Sequence, residues 1–404
     1  MKISSTSARL WWALIAIVLL SLNLRPGATS LGPVLAEVKA SLGMGGTMAG
    51  LITALPGLCF AVFGALAVTL SLRLGLAGAL AAGVTATAIG LLVRPFVGSV
   101  APFVALSVFA FAGMAVGNVL MPAFVKKTFP NRLAGVMSVY TIALAIGATT
   151  ASMIAVPLAS GGPEGWRVSL GVWGAVAAVA ALVWLLLAAS ERRRRLPVDA
   201  DAPRRSGSVF AVMGSRKAVG MAVFFGTQSM QAYVQFGWIA QMYRDGGLDP
   251  LQAGIMASII PGFGIPAGFI MPTVAQRMKD PRPIVIVLGL LLVAGYTGIW
   301  LAPTAAPILW AVLLGLAGFS FPFALALFTI RTRDPHVTTQ VSGFAQSVGY
   351  LFSAAGPFIV GMLFEVTGSW TMPLWFLLFT AFLVTVSGLV AAKPGYVDDE
   401  LARA

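Results

Sequence analysis

The stretch LWWALIAIVLLSLNLRPGATSLGPVL, Leu10 to Leu35, decides what kind of chain this is. Its only charge is Arg25. A hydrocarbon core about 30 Å thick needs roughly 20 apolar residues in a helix, and this run is long enough to cross it. Lys2 and Arg9 precede it, and it continues well past the length of a signal-peptide core. It is therefore expected to be a first spanning helix that also directs insertion, rather than a cleaved leader.

Comparable runs fill the rest of the chain. Of 404 residues, 58% are hydrophobic and 10% charged, with mean hydropathy +0.92. A soluble domain of this length needs far more charge to cover its surface. Twelve spans are predicted, at about 10–35, 46–71, 76–94, 101–124, 133–158, 167–189, 217–243, 250–273, 283–302, 304–328, 337–363 and 370–391. They are numbered one to twelve below. Short Pro-bearing turns near Arg94–Pro102 and Pro303–Pro307 divide the longest runs.

Loop charge sets the expected direction. With both termini in the cytoplasm, only Lys39, Arg94, Arg167 and Arg244 fall on the outer side. Arg25 lies within a span, and every other one of the 26 Lys and Arg lies inside. That asymmetry follows the positive-inside rule and favours an even number of spans in a cytoplasmic (inner) membrane. It also accounts for the net charge of +13 without nucleic acid, and no nucleic-acid partner is expected.

Several chemistries lack their parts. Cys59 is the single cysteine and His336 the single histidine, so neither a disulfide framework nor a His-based metal site or triad is available. No Walker-type loop is present, which argues against ATP as a driving cofactor. No metal or cofactor is called for. An intramembrane enzyme would need a metal site or a buried acid pair, so no enzyme is expected. The expected partners are the lipid bilayer and a small-molecule substrate, with the protein a monomer.

The densest polar stretch, Glu191 to Lys217, contains Arg192–Arg195, Asp199, Asp201, Pro203, Arg204 and Arg205 near the middle of the chain. It reads as a cytoplasmic linker (191–216) between a six-helix bundle at 1–190 and another at 217–404. A basic segment that binds lipid or regulates is the alternative. Repeats support two halves. Gly64 and Arg73 recur as Gly268 and Arg277, and Trp166 recurs as Trp370, all at an offset of 204. Pro56-Gly57 and Pro261-Gly262 agree within one residue.

Several motifs carry a more specific resemblance. They are Leu22-Asn23-Leu24-Arg25-Pro26 and Ser30-Leu31-Gly32-Pro33-Val34-Leu35 in span one, then Asn118-Val119-Leu120-Met121-Pro122 with Val125-Lys126-Lys127 and Phe129-Pro130 in span four. Ser342-Gly343, Gln346-Ser347-Val348-Gly349-Tyr350, Gly356-Pro357 and Gly368-Ser369-Trp370 belong to the last two spans. In these the chain resembles the cyanate/nitroimidazole transporter family of the major facilitator superfamily. The resemblance implies an all-α membrane protein of twelve transmembrane helices in two pseudo-symmetric six-helix bundles. It also implies a secondary transporter working by alternating access, with a site near the midplane between the halves. One motif departs from the superfamily. Its Gly-x-Leu-x-Asp pattern between spans two and three is here Gly64-Ala65-Leu66-Ala67-Val68, with only Arg73 in the basic part, which puts the usual gating ion pair in doubt.

Candidate binding residues follow from polar groups in apolar runs. Arg25 sits near the middle of span one, where a cation costs about 2.5–3.5 kcal/mol and should face a cavity or a partner. Ser21 and Thr29, at i−4 and i+4, share its helix face. A guanidinium fork suits an anion or a polarised nitro or carbonyl oxygen; the alternative is a structural Arg bonded to neighbouring helices. In span seven Gln228, Gln231, Gln235 and Trp238 form one stripe, expected either to line a cavity or to bond between helices. Gln346 and Tyr350 in span eleven, with Ser342 and Ser353, and Asn118 and Tyr140 in spans four and five complete the set. Pro56, Pro122 and Pro261, together with Arg73 and Arg277, are the gating candidates, with helix packing as the alternative role for the prolines.

No span carries an acid in its interior: all 13 Asp and Glu fall in loops, termini or span ends. This argues against cation/proton exchange on a buried carboxylate, with Glu37 and Glu365 left as fallback proton sites. The leading expectation is a transporter of a small anionic or polar solute. An exporter of hydrophobic drug-like compounds and a non-transporting ligand sensor are the alternatives.

Overall fold

The computed structural model describes residues 5–192 and 209–402, and every regular element among them is helical. Of the linker expected at 191–216, residues 193–208 lie outside the described residues. Its described end, Val209–Gly214, is a 3-10 turn leading into span seven.

Nine predicted spans are single helices. Spans two to six run Gly46–Leu74, Leu76–Val93, Val100–Thr128, Leu133–Ala159 and Trp166–Arg192. Spans seven, nine, eleven and twelve run Arg216–Asp245, Arg282–Leu301, Pro335–Thr367 and Thr371–Ala392. Three spans are interrupted. Span one consists of Ser5–Ser21, Pro26–Thr29, a 3-10 turn Gly32–Val34 and Leu35–Leu42. Span eight divides into Pro250–Gly262 and Gly264–Arg277, and span ten into Pro307–Ala317 and Ser320–Ile330. Proline explains where they break. Pro26, Pro266 and Pro322 have no N–H to give the carbonyls of Leu22, Gly262 and Gly318 four residues earlier.

Eleven segments among the described residues are long and apolar enough to cross a membrane, the first being Leu10–Leu42. Span seven is the twelfth. At 30 residues it is about 45 Å long, ample for a bilayer, but its polar residues keep it less apolar than the others.

The described chain divides into two compact units. One comprises the chain up to Met44 and from Val62 through span six; the other comprises Gly45–Ala61 and everything from Val209 onward. Each is packed in the same pattern. In the first, span one lies against spans five and six, and span three against span six. In the second, span seven lies against spans eleven and twelve, and span nine against span twelve. Those pairs correspond six spans apart, as the pseudo-symmetric fold requires.

One expected loop residue is not in a loop. Arg94 follows span three in the turn Arg94–Phe96 and is completely buried. Its guanidinium reaches the Gly27 carbonyl at 3.1 Å and lies near the faces of Phe103 and Phe111, so it has no need to extend to water. Arg25 is therefore not the sole cation within an apolar span, because Arg94 lies inside Leu76–Phe96.

Candidate substrate-binding site

In the first unit, the break in span one sets the geometry. Leu22 to Arg25 form successive turns, with the N–H of Asn23 donating to Leu20 and that of Leu24 to Ser21. The Arg25 carbonyl then accepts from the N–H groups of Ala28 and Thr29 at 3.0 and 3.1 Å, starting the short helix at Pro26. Arg25 thus stands at a corner of the backbone, half-buried, rather than on the side of a straight rod. Span five comes close here through Gly147, where any side chain would collide with the Leu22 carbonyl.

That approach puts two of the expected residues in direct contact and a third, Arg25, within electrostatic reach of them. The Tyr140 hydroxyl donates to Asn118 Oδ1 at 3.0 Å, and the charge acting on the Tyr140 phenol is that of Arg25. Tyr140 is buried and Asn118 half-buried. Since Asn118 accepts through Oδ1, its NH2 group points the same way chemically as the guanidinium: both donate. A concentration of donors suits an anion or a polarised oxygen.

Ser21 and Thr29 do not join this cluster through their hydroxyls. Ser21 donates to Ile17 O at 2.5 Å and Thr29 to Arg25 O at 3.3 Å, each back onto its own chain. Two residues that were not among the expected binding residues adjoin this corner. Asn23 is 1% exposed, donates to Leu19 O at 2.7 Å and has no partner for its Oδ1. Arg94 is the other, through Gly27. A polar residue between Leu22 and Leu24 was a visible signal for the first; the second depends on tertiary contact that no local pattern reports.

In the second unit, the span-seven stripe is bonded to its neighbours. Gln231 donates to Thr380 Oγ1 at 2.8 Å and Leu377 O at 3.1 Å in span twelve, and accepts from the Tyr296 hydroxyl of span nine at 2.6 Å. Gln235 donates to that same hydroxyl at 3.2 Å, and Gln228 donates to Phe225 O and Ser229 Oγ. All three glutamines are at most 5% exposed. Trp238 is wholly buried, donates to Pro357 O at 3.1 Å and packs against Phe364 and Trp370. Of the two roles expected for this stripe, the contacts of Gln231, Gln235 and Trp238 are those of inter-helix bonding, while the bonds of Gln228 stay within span seven.

Tyr350 instead belongs to an aromatic group, meeting Phe60 at 5.6 Å and Phe225 at 5.7 Å edge to face, while Phe60 meets Tyr233 at 6.4 Å. Gln346 donates within its own helix to Ser342 Oγ. A groove of about 370 Å³ lined by Met271, Ile284, Val287 and Leu316 has no polar lining and offers nothing to hold a polar solute.

The sequence profile of the Major Facilitator Superfamily matches residues 12–357. The chain belongs to that superfamily. It is 34% identical to the uncharacterized transporter YycB of Bacillus subtilis (strain 168), over 96% of this chain and 95% of that one. It is 28% identical to the 2-nitroimidazole transporter of Escherichia coli (strain K12), covering 93% and 94% of the two chains. The cyanate transport protein CynX of the same organism is 26% identical over 89% of this chain and 91% of its own. The crystal structure of a D-xylose-proton symporter superposes with a TM-score of 0.75 over 95% and 96% of the two chains at 12% identity, a likeness of fold alone. The protein is a multi-pass membrane transporter of a small molecule.

The transporter's gating candidates fall into two kinds. Pro56 and Pro122 lie inside helices that stay continuous, whereas Pro261 precedes the break in span eight. Arg73 and Arg277 are exposed in the last turns of spans two and eight. Of the fallback proton sites, Glu365 accepts the Thr47 N–H at 2.6 Å and the Thr47 hydroxyl, in the first turn of span two.

Proposed function

We propose that this transporter carries a small anionic or polar solute, cyanate-like or a small nitro-heteroaromatic, by alternating access, with Arg25, Asn118 and Tyr140 as its binding group. The observation that carries this reading is the corner at Arg25. An arginine is held there within electrostatic reach of a tyrosine whose hydroxyl is already committed to Asn118. Interrupted helices are tolerated at membrane depth where they line a cavity or are covered by protein, and they commonly mark solute sites. Relatives named for nitroimidazole and cyanate transport fit the same donor chemistry. Both termini are assigned to the cytoplasm of a cell with this protein in its inner membrane. External protease that removed a C-terminal tag from intact cells would reverse that assignment.

The absence of an acid within a span favours uniport, anion exchange, or symport in which the solute itself brings the proton. A second reading, export of hydrophobic compounds, draws on the Phe60–Tyr233–Tyr350–Phe225 group. Uptake into proteoliposomes of cyanate, nitrate, small carboxylates and a nitroimidazole separates the two. Saturable uptake that disappears in Arg25→Gln supports the anion reading. Uptake of only the nitroimidazole, unchanged in Arg25→Gln and weakened in Tyr350→Ala, supports the other.

A further inference from the structure

We propose that Arg94 is a positioning residue that fixes the corner of span one on which Arg25 stands. The reason begins with a carbonyl. In an uninterrupted helix Gly27 O would accept the N–H of Leu31, but that N–H donates to Ala28 O instead, because the helix Pro26–Thr29 has only one turn. A carbonyl left unbonded in a membrane protein costs several kcal/mol, so something must supply a donor. Arg94 Nη2 does so at 3.1 Å, from the far end of span three.

The placement is specific. Arg94 is 0% exposed, and among the described residues it forms no ion pair with an acid. Its Nη1 lies 3.5 Å from Ser107 Oγ, its Nε has no partner, and Phe103 and Phe111 lie 5.7 and 6.0 Å from the guanidinium carbon. A cation buried this completely, against rings and one carbonyl, is an expensive way to fill space. A leucine would pack there without any desolvation penalty. What the arginine supplies and a leucine would not is a long-reaching donor to Gly27 O, two residues after Arg25. Gly27 completes the joint: a Cβ there would meet Met114 Cε at 2.5 Å, Leu91 at 3.2 Å and Phe111 at 3.3 Å. The corner is therefore held from both sides, by the Arg25 carbonyl accepting from Ala28 and Thr29, and by Arg94 at Gly27.

The proposal rests on the binding reading only for its effect on transport. The experiment has two arms on the intact transporter, wild type against Arg94→Gln and Arg94→Lys. The first is hydrogen exchange of residues 22–31 in the purified protein, which needs no substrate. The second is KM and maximal rate for nitrate and cyanate in proteoliposomes, with insertion measured for each variant. Arg94→Gln is expected to speed exchange in 22–31 while spans seven to twelve keep their protection, and to raise KM about tenfold, the equivalent of losing one charge-assisted hydrogen bond. Arg94→Lys, which can still donate to Gly27 O, should restore KM to within about threefold of wild type.

Unchanged exchange in 22–31 would overturn the proposal. Faster exchange with KM unaltered would overturn it too, leaving Arg94 a structural tie. If the wild type moved neither anion, the substrate reading would fall while the exchange arm still decided whether Arg94 holds the corner.

Discussion

Spans one and seven both place polar side chains on one helical face, yet they differ in where those groups direct their bonds. Span seven is a continuous 30-residue helix. Its glutamines reach outward, Gln231 and Gln235 sharing the Tyr296 hydroxyl while Gln231 also holds Thr380 and Leu377. Span one is interrupted at Pro26. Ser21 and Thr29 turn back onto their own chain, and Arg25 stands half-buried at the corner beside Tyr140. Polar content alone would rank span seven as the site. Geometry ranks it as a seam, because groups whose hydrogen bonds are satisfied between helices gain little from releasing them to a solute.

The comparison is broken most easily at its extremes. Arg25→Gln is expected to lower transport efficiency about a hundredfold, close to 3 kcal/mol of lost charge-assisted bonding, measured as kcat/KM in proteoliposomes. Gln231→Leu should act on the other property. Removing three inter-helix bonds, and with them the acceptor of the Tyr296 hydroxyl, is expected to cost about 1–3 kcal/mol of stability, read as a lower Tm, with KM within about twofold of wild type. Tyr140→Phe sharpens the contrast on a smaller scale. Loss of the hydroxyl bonded to Asn118 is expected to raise KM by about three- to tenfold and to leave Tm nearly unchanged.

The smallest expected effect concerns how span seven begins. Glu400, in the C-terminal helix Val397–Leu401, accepts from the Ser215 hydroxyl at 2.7 Å and the Lys217 N–H at 3.0 Å. Burial works to raise the Glu400 carboxyl, but those bonds and the Lys217 and Arg216 charges outweigh it and hold the group below its ordinary 4.5. Asp398 is likewise held low: burial opposes, and the N–H groups of Arg333 and Asp334 prevail. A depressed carboxyl stabilises the folded form above its ordinary value and loses that contribution as pH falls through the native one. Protection against hydrogen exchange at 209–217 and 397–402, taken relative to the intrinsic amide rate at each pH, should therefore be flat from pH 8 to about 5 and fall only below about pH 4. Equal protection at pH 3.5 and pH 7 would show that the acids do not hold this joint.

Much of the architecture was legible because a bilayer imposes length and apolarity on every crossing segment. The predicted positions of spans two to seven, nine, eleven and twelve match helices within a few residues. The break in span one is also written locally, in Arg25-Pro26-Gly27, although apolarity alone reads the run as a single helix. Arg94 was misplaced for a physical reason. A cation beside Pro95 at the end of an apolar run is ordinarily a loop residue, and its true partner, Gly27 O, is 67 residues away in sequence. The glutamine stripe had the converse problem. Periodicity put three amides on one face, but whether that face meets water or a Tyr and a Thr of other spans is decided by packing. For the proposed binding group, the residue types were readable singly; that Tyr140 and Asn118 meet near the Arg25 corner depends on span five closing on the Leu22 carbonyl at Gly147.

The most direct test measures KM and Tm for Arg25→Gln and Gln231→Leu side by side, in the same vesicles and with the same anion. The account predicts a crossed pattern: Arg25→Gln loses transport with Tm preserved, and Gln231→Leu loses Tm with KM preserved. If Gln231→Leu raised KM while Arg25→Gln left it unchanged, the binding group would lie along span seven and the corner of span one would be only structural.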